Sequence, residues 1–375
     1  MENFMHTREH QLVRVNLGAI RNNVKAFLET TNTQILVIVK ANAYGHGAVE
    51  VSRAALEAGA KYLGVTSIAE ARGIRDGGVG GKILVTGPQF GEEYEGAIRH
   101  DLECTISTME QAETLNAIAK RSGSVARVQV KMDIGMGRFG VFPSDVIPFL
   151  SELKTKTNLS VVGLYSHLSA SDENASLTES QQNLALGLLK EIEAAQLRPP
   201  VVHISNSGAA SSYPSLWQDM VRLGIVLYGY PALSDAPVSA KLRPALEWST
   251  KLLSIRRFPL GSTISYGAEY RTTKDELIGV IGVGYTDGFK RIPKNVNEVL
   301  VGGVKVPVRG RMCQQFCMVS LDAVPNAKIG DEVMILGSQG TERLTAVDLA
   351  KKWGTNEWDV LCGINPFVAR NYCSN

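Results

Sequence analysis

Eight short apolar runs alternate with longer amphipathic segments along the first part of the chain. Short runs without polar alternation are typical of strands in parallel sheets that are covered on both faces. The strand candidates are residues 35–39, 63–66, 82–86, 103–106, 126–132, 160–165, 201–204 and 219–223. Helical periodicity is found at 17–30, 48–59, 67–76, 91–99, 108–121, 144–154, 174–196 and 207–213. Eight parallel strands with interposed helices predict an α/β fold, a (β/α)8 barrel of the TIM type.

The competing architecture is a doubly wound open sheet, but no Gly-x-Gly-x-x-Gly follows the first strand. After residue 235 the pattern changes, because prolines punctuate a connecting region and long helical periods become rare. Apolar runs rich in Val, Ile and Gly occur at 247–258, 277–284, 298–308, 316–321 and 331–336, with one helix near 345–353. We therefore predict two domains, a barrel over 1–235 and a mostly antiparallel β domain over 236–375. Residues 11–15 are a candidate strand of the second domain.

Charge and cysteine content exclude several classes of protein. A net charge of +2 over 375 residues gives no basis for binding nucleic acid or an acidic membrane surface. No run approaches a membrane span, and the N-terminus lacks the apolar core of a signal peptide. Five scattered cysteines indicate a reducing compartment, so we expect a cytoplasmic protein. No His-x-x-x-His pair lies on a predicted helix and no Cys-x-x-Cys occurs, so we expect no metal site.

The first strand candidate ends at Lys40 and is followed by a glycine-rich turn. A lysine at the end of a core strand either reaches solvent or is partly desolvated. Desolvation favours the neutral amine, which forms Schiff bases with carbonyl compounds such as pyridoxal phosphate. An arbitrary lysine would more often mark the solvated end of the strand. Tyr44, with Gly45 and Gly47 allowing close backbone approach, favours a site here.

Polar and glycine residues recur where other strand candidates end, on the rim that carries the chemistry of such barrels. These segments are Asp133–Arg138, His167, His203–Ser207 and Arg222–Ile225. Each has a plainer interpretation, since Asn206 and Ser207 are common helix caps and Arg222 or His167 alone is usually structural. A capped helix start together with the amides of Gly224 and Ile225 nevertheless suits an anion. In the second domain, Tyr266 and Tyr285 are flanked by glycine, and most such tyrosines only pack at strand ends.

Taken together, these motifs resemble those of the alanine racemases, fold-type III pyridoxal-phosphate enzymes with a barrel and a C-terminal β domain. The resemblance covers essentially the whole chain, and its strongest element is Val39-Lys40-Ala-Asn-Ala-Tyr44-Gly-His-Gly47. Further motifs follow in the family's order: Asp133-Ile-Gly-Met-Gly-Arg138, His203-Ile-Ser-Asn-Ser207, Arg222-Leu-Gly224-Ile225, Ile264-Ser-Tyr266-Gly267 and Gly284-Tyr285. The resemblance implies a racemase that interconverts L- and D-alanine, supplies D-alanine for peptidoglycan precursors, and works as a homodimer with shared active sites.

The resemblance also implies a role for each site residue. Lys40 would bind pyridoxal 5'-phosphate and act as one base, and Tyr266 of the partner subunit would be the other. Arg138 would contact the substrate carboxylate, and Lys131 matches a position that is carbamylated in some members. His167 would belong to the network around Arg222 and Tyr266. The remaining cofactor contacts would be Arg222 at the pyridine nitrogen, and Tyr44, Asn206, Ser207, Gly224 and Ile225 around the phosphate.

The chain departs from the family at the entrance to the site. Gln314 and Gln315 replace a methionine and an aspartate, and Pro366 replaces a tyrosine that helps to hold the phosphate. Gln314 would contact substrate, while Tyr285, Gln315 and Pro366 would line the entrance. A less acidic and wider entrance suggests relaxed specificity, for serine, for basic amino acids or for a broad range. Two other classes of protein compete with a racemase: a cofactor-binding protein without turnover and a fold-type III decarboxylase.

Overall fold

The computed structural model describes residues 9–292 and 296–374. The chain forms two compact units. The barrel unit comprises Leu17–Ala43 and Ala48–Pro244. Of the described residues, the β unit comprises 9–16, Tyr44–Gly47, 245–292 and 296–374.

The barrel unit is built on eight parallel strands, which confirms the predicted (β/α)8 barrel. They are β2 (Gln34–Ile38), β3 (Tyr62–Val65), β4 (Lys82–Val85), β5 (Glu103–Ile106), β6 (Ala126–Lys131), β7 (Leu159–Tyr165), β8 (Val201–His203) and β9 (Met220–Leu223). The sheet runs β8-β7-β6-β5-β4-β3-β2-β9. Two main-chain hydrogen bonds bring its edges together, from Asp219 N to Val202 O (3.1 Å) and from Arg222 N to Ser205 O (3.2 Å).

Side chains fill the barrel interior. Leu36, Tyr62, Leu84, Tyr165 and Met220 form one buried cluster contributed by five different strands. Burying a large apolar side chain contributes roughly 1.5–3 kcal/mol. The interior is therefore a packed core, and ligand chemistry is left to the strand ends.

Apart from the short α2 (Lys40–Tyr44), whose residues 41–44 have positive φ, the helices of the barrel unit follow the predicted periodicity. Their bounds are α1 (Leu17–Thr31), α2 (Lys40–Tyr44), α3 (Ala48–Glu57), α4 (Ile68–Asp76), α5 (Glu93–Arg99), α6 (Met109–Arg121), α7 (Val146–Leu153), α8 (Ala175–Ala194) and α9 (Ser207–Ser212). Local sequence fixes several starts, since Ser67 with Glu70 and Thr108 with Gln111 form reciprocal capping boxes at α4 and α6. The short α2 lies across the boundary between the two units.

The division between the units falls after Pro244 rather than at residue 235. The reason is a buried asparagine on α1. Asn23 Nδ2 donates to Leu227 O and to Arg243 O, each at 2.9 Å, and Arg243 N donates back to Asn23 Oδ1 at 2.9 Å. These bonds hold the connecting segment on the barrel, and a proline-rich composition alone does not reveal them.

The β unit contains a nine-stranded sheet in the order β18-β17-β14-β15-β16-β13-β10-β1-β19. Its members are β1 (Leu12–Asn16), β10 (Leu246–Phe258), β13 (Glu276–Ile281), β14 (Glu298–Val301), β15 (Val304–Arg309), β16 (Cys317–Ser320), β17 (Glu332–Gln339), β18 (Glu342–Leu344) and β19 (Arg370–Cys373). All its pairings are antiparallel except that of β1 with β19, which confirms a mostly antiparallel domain.

Among its described residues, the β unit also contains a two-stranded ribbon and two α-helices. They are β11 (Thr263–Ile264), β12 (Tyr270–Arg271), α10 (Ala346–Trp353) and α11 (Glu357–Cys362). The single predicted run at 298–308 is a hairpin, because Gly302 and Gly303 adopt φ of 58° and 80° and turn the chain. Among the described helices, none combines the length and apolarity that crossing a bilayer requires.

Candidate active site

The sequence-predicted cations of the barrel lie at the carboxyl ends of its strands. Lys40 follows β2, Lys131 ends β6, and Arg222 lies near the end of β9. His167 and His203 follow or end β7 and β8. Because all eight strands are parallel, these side chains are brought to one rim.

Arg222 is 3% exposed, and its guanidinium group is held by five hydrogen bonds. Nη1 lies 2.9 Å from His203 O and 3.0 Å from His203 Nδ1. Nη2 donates to Ser166 O at 2.6 Å and to Ile204 O at 3.0 Å, and lies 3.3 Å from His167 Nδ1. Burial and the nearby Arg138 lower the pKa of Arg222 to about 10. The group is a fixed cation whose orientation the surrounding carbonyls determine.

His167 shows how closely the cations are gathered. Burial, followed by the charges of Arg222, Arg138, Lys131 and Lys40, lowers the pKa of its imidazole to about 3. His167 is therefore neutral at physiological pH and can accept a hydrogen bond from Arg222. Positive charge concentrated on one rim makes this end of the barrel suited to an anionic ligand.

Lys131 is 1% exposed and donates to the carbonyl oxygen of Phe139, with Nζ 4.3 Å from the centre of the Phe139 ring. Burial lowers the pKa of its amine to about 8, although the nearby Asp133 opposes that change. Near neutral pH, the fraction of Lys131 that is present as the neutral, nucleophilic amine is therefore larger than for an ordinary lysine.

The loop after β6 is organised by one carboxylate. Asp133 Oδ1 accepts from the amides of Gly135, Met136 and Gly137 at 2.8–3.1 Å. Burial raises the pKa of Asp133, but these three amides outweigh it and leave the pKa below its usual value. The loop backbone is thus anchored, whereas the side chain of Arg138 at its end is exposed in the single chain.

The predicted anion cradle brings together the segments after β8 and β9. Ser207 Oγ accepts from Gly224 N at 2.9 Å, so the first residue of α9 contacts the turn that begins the 3-10 helix Ile225–Tyr228. Asn206 caps α9, since its Oδ1 accepts from Ala209 N at 3.2 Å and from Ser171 Oγ at 2.6 Å. Its Nδ2 donates to Leu168 O at 3.2 Å. The side chain of Asn206 is thereby engaged in positioning this segment.

The turn after Lys40 has an unusual backbone that sequence reasoning did not predict. Ala41, Asn42, Ala43 and Tyr44 all have φ between 50° and 54°, a left-handed conformation that costs roughly 1–2 kcal/mol per residue. Asn42 Oδ1 accepts from Ala48 N at 2.9 Å, and Glu70 Oε1 accepts from Ala41 N at 2.7 Å. Glu70 was missed, because the Ser67-x-x-Glu70 spacing indicates only a capping box and not the use of its second oxygen.

Tyr44 belongs to the β unit, where it is almost fully buried. Burial, followed by the nearby Cys362, raises the pKa of its phenol. The adjoining backbone is fixed within the same unit by Arg370, whose Nε donates to Gly45 O at 3.1 Å.

Tyr266 is 68% exposed and lies on a strained loop of the β unit. Ser265 and Ala268 have φ of 66° and 49°. The loop is held in place by Arg311, whose carbonyl oxygen accepts from Ser265 Oγ and whose guanidinium group pairs with Glu269. A tyrosine hydroxyl is thus presented on a fixed, outward-facing turn.

Two of the predicted entrance residues, Tyr285 and Gln315, line one cavity of the β unit together with Tyr266. A cavity of about 500 Å³ is lined by residues that include Tyr266, Tyr285, Cys313, Gln314 and Gln315. Cys313 lies before β16, and Cys317 is the first residue of that strand.

Thr286 links the segment that carries Gln314 to the segment that precedes Pro366. Its Oγ1 donates to Gln314 O at 2.7 Å, and its carbonyl accepts from Asn365 Nδ2 at 2.8 Å. Pro366 follows Asn365 and is exposed. The backbone at Gln314 and the segment that leads to Pro366 are therefore both hydrogen-bonded to Thr286, which fixes their positions.

Comparison with known proteins gives a consistent result. Residues 15–232 match the family described as alanine racemase, N-terminal domain, and residues 245–372 match alanine racemase, C-terminal domain. An alanine racemase of Halothermothrix orenii is 36% identical over 352 residues, covering 94% of this chain and 93% of that protein. One from Symbiobacterium thermophilum is 36% identical over 360 residues, covering 96% of both.

Solved structures of high similarity include alanine racemase from D-cycloserine-producing Streptomyces lavendulae, with a TM-score of 0.92 and 31% identity over 98% of this chain and 97% of that chain. Alanine racemase from Bacillus anthracis with bound L-Ala-P has a TM-score of 0.90 and 32% identity, covering 98% and 95% of the two chains.

Proposed function

The chain belongs to the alanine racemase family of isomerases, and from this premise we propose that it interconverts L- and D-alanine with pyridoxal 5'-phosphate as cofactor. The observation that carries the proposal is the buried Arg222, whose Nη1 and Nη2 are held by hydrogen bonds, on the same rim as Lys40, Lys131 and Arg138. A cofactor with a phosphate and a carbonyl group requires positive charge for the phosphate and an amine for the carbonyl. This rim supplies both.

The residues of the barrel rim fit that cofactor. Lys40 supplies the amine for the covalent link. Ser207 and the amide of Ile225, where the 3-10 helix begins, suit a phosphate group, and the Gly224 amide orients the Ser207 hydroxyl beside them. Tyr44 is a further phosphate contact that we propose from the resemblance. When bound, the cofactor withdraws the electron pair that is left at Cα after a proton is removed.

Arg222 controls how strongly the cofactor can do this. A guanidinium group has no acceptor and stays protonated, so it offers the ring nitrogen a hydrogen bond and not a transferable proton. His167 is neutral and accepts from Arg222, which keeps the guanidinium group oriented. We propose that this limits electron withdrawal and thereby suppresses side reactions such as transamination.

Inversion at Cα requires one group to remove a proton and another to return one on the opposite face. We propose that the Lys40 amine serves one face and that the Tyr266 phenol, contributed by the partner subunit, serves the other. The exposure of Tyr266 in the single chain supports this, because an outward tyrosine on a fixed turn is available to a second copy. Arg138 would bind the substrate carboxylate, and carbamylation of Lys131 would place a negative group beside it.

A second candidate is a racemase of relaxed specificity. It is favoured by Gln314 and Gln315 in the cavity lining and by Pro366 at the adjoining turn. We further propose that the enzyme is a cytoplasmic homodimer that supplies D-alanine for peptidoglycan precursors; the five free thiols are compatible with a reducing compartment.

Incubation of the cofactor-loaded protein with L-alanine tests the proposal. Chiral chromatography should detect D-alanine approaching an equal mixture of the enantiomers. Absence of any product would favour a cofactor-binding protein, and release of an amine with carbon dioxide would favour a decarboxylase. A parallel panel of serine, lysine and arginine separates the two racemase candidates, since turnover of alanine alone would reject relaxed specificity.

A further inference from the structure

A line of buried polar side chains runs through the barrel interior and ends at Arg222. It begins with Glu103, the first residue of β5, which is 1% exposed. Glu103 Oε2 lies 2.5 Å from Nε2 of Gln129 in the middle of β6. Gln129 Oε1 lies 2.6 Å from His203 Nε2, and His203 Nδ1 lies 3.0 Å from Arg222 Nη1. None of the first three residues has a part in the proton transfers proposed above.

The donor and acceptor groups of these four side chains allow one arrangement of protons along this line. Arg222 can only donate, so His203 Nδ1 must carry a lone pair. A neutral imidazole then carries its proton on Nε2, and that proton needs an acceptor, which is Gln129 Oε1. The amide group of Gln129 is in turn oriented by Glu103, because an ionised carboxylate accepts only and therefore faces the amide NH2.

Burial raises the pKa of Glu103, whereas its polar and cationic neighbours oppose that rise and favour the ionised form. Arg127 Nε is 3.9 Å from Glu103 Oε1. The Tyr62 hydroxyl, which accepts from Lys82 Nζ at 3.0 Å, is a further donor to Glu103. These four residues lie at the starts of neighbouring strands, so the line connects the amino end of the barrel with the carboxyl-end rim.

The imidazole ring of His203 has no freedom to adopt another orientation. It is fully buried and stacks on Tyr165, with ring centres 4.8 Å apart and planes 5° from parallel. The Tyr165 hydroxyl is itself bonded to Thr105 Oγ1 at 2.8 Å and to Thr86 O at 3.2 Å. With the ring plane fixed, only the position of the proton remains variable, and Gln129 determines it.

We infer that Glu103 and Gln129 are positioning residues that hold His203 in the Nε2–H tautomer, so that Nδ1 accepts a hydrogen bond from Arg222. If the Gln129 amide turned over, its NH2 group would face Nε2, and the imidazole would meet donors on both sides. The proton would then move to Nδ1, and Arg222 would lose one of the bonds that aim it. The expected effect on turnover rests on the proposed function of Arg222, whereas the expected tautomer of His203 does not depend on that function.

The test is nitrogen-15 NMR of the histidine rings in the full-length protein, before and after loading with pyridoxal phosphate. The His203 signal is assigned by its loss in His203→Asn. Glu103→Gln keeps the shape of the side chain but can donate to Gln129, and Gln129→Met keeps the length but makes neither bond. Cys104→Ala is the matched control, because Cys104 is equally buried and is the next residue of the same strand.

We expect a single Nε2–H tautomer in the wild type and in Cys104→Ala, and a second, Nδ1–H population in Glu103→Gln. In Gln129→Met the Nε2 proton should lose the downfield shift of a strong hydrogen bond. In the loaded enzyme both test variants should lower kcat about tenfold with KM changed less than twofold, the size of effect typical of outer partners of a site.

The inference is overturned if His203 shows the same tautomer and the same proton shift in all four proteins. It is also overturned, as far as Arg222 is concerned, if the tautomer changes while kcat stays within twofold of the control. Lack of racemisation by the wild type would contradict the proposed function and leave the tautomer result unaffected.

Discussion

Ser207 Oγ accepts a hydrogen bond from the amide of Gly224 at 2.9 Å, which joins the segments after β8 and β9. We expect Ser207→Ala to weaken binding of pyridoxal phosphate about fivefold, since losing one such bond costs about 1 kcal/mol. Titration of the cofactor by its visible absorption measures this. Ser212→Ala, at an exposed position of the same helix, is the control, and equal affinity of the two variants would contradict the role of Ser207.

In the protein without carbamylation, the Lys131 amine predicts a rise of stability with pH. Its folded pKa of about 8 lies below the value of about 10.4 in an unfolded chain. Between these values the unfolded state binds more protons, so the free energy of unfolding increases with pH, and this gain is absent below pH 8. We expect about 1–2 kcal/mol more stability at pH 9.5 than at pH 7.5 from this group.

Urea unfolding at the two pH values measures this effect, and Lys131→Met should remove it. Lys156→Met, at a more exposed lysine on the same unit, should keep it. If Lys131→Met kept the pH dependence of the wild type, that dependence would be caused by other groups.

The left-handed turn after Lys40 predicts a difference between two substitutions at Asn42. Both Asn42→Ala and Asn42→Gly lose the bond to Ala48 N, but only alanine retains the backbone cost of a positive φ. We expect Asn42→Ala to be less stable than Asn42→Gly by about 1 kcal/mol in thermal unfolding. The reverse order would show that backbone strain does not decide the stability of this turn.

Pro366 tests the argument about the entrance. We expect Pro366→Tyr to lower turnover of serine, lysine and arginine relative to alanine at least threefold, because a larger aromatic side chain narrows the opening. Phe367→Tyr adds a hydroxyl group at the neighbouring exposed residue and serves as the control. An unchanged substrate profile in Pro366→Tyr would show that this turn does not determine substrate specificity.

Most of the barrel follows from local sequence. Periodicity located all eight strands and the helices between them, because buried parallel strands and capped amphipathic helices have strong local signals. The rim residues could be predicted for a related reason: once the strands are parallel, whatever follows each one reaches the same end. Lys40, Arg222 and Ser207 were identified in this way.

Other features depend on contacts between residues far apart in sequence. The line from Glu103 to His203 joins three strands, and neither the identity nor the spacing of Gln129 indicates it. The parallel pairing of β1 with β19 joins the two ends of the chain and carries no local signal. The division after Pro244 depends on Asn23, more than two hundred residues earlier. The hairpin at Gly302 and Gly303 did have a signal, which the prediction of one continuous run overlooked.

The exchange of the Cα proton in deuterated water tests the two-base arrangement most directly. In Tyr266→Phe, with Lys40 intact, we predict that the Cα proton of one alanine enantiomer exchanges with solvent while that of the other does not, and that racemisation is lost. Exchange of both enantiomers at equal rates would show that a single group serves both faces, and would contradict the account of Lys40 and Tyr266 as opposed bases.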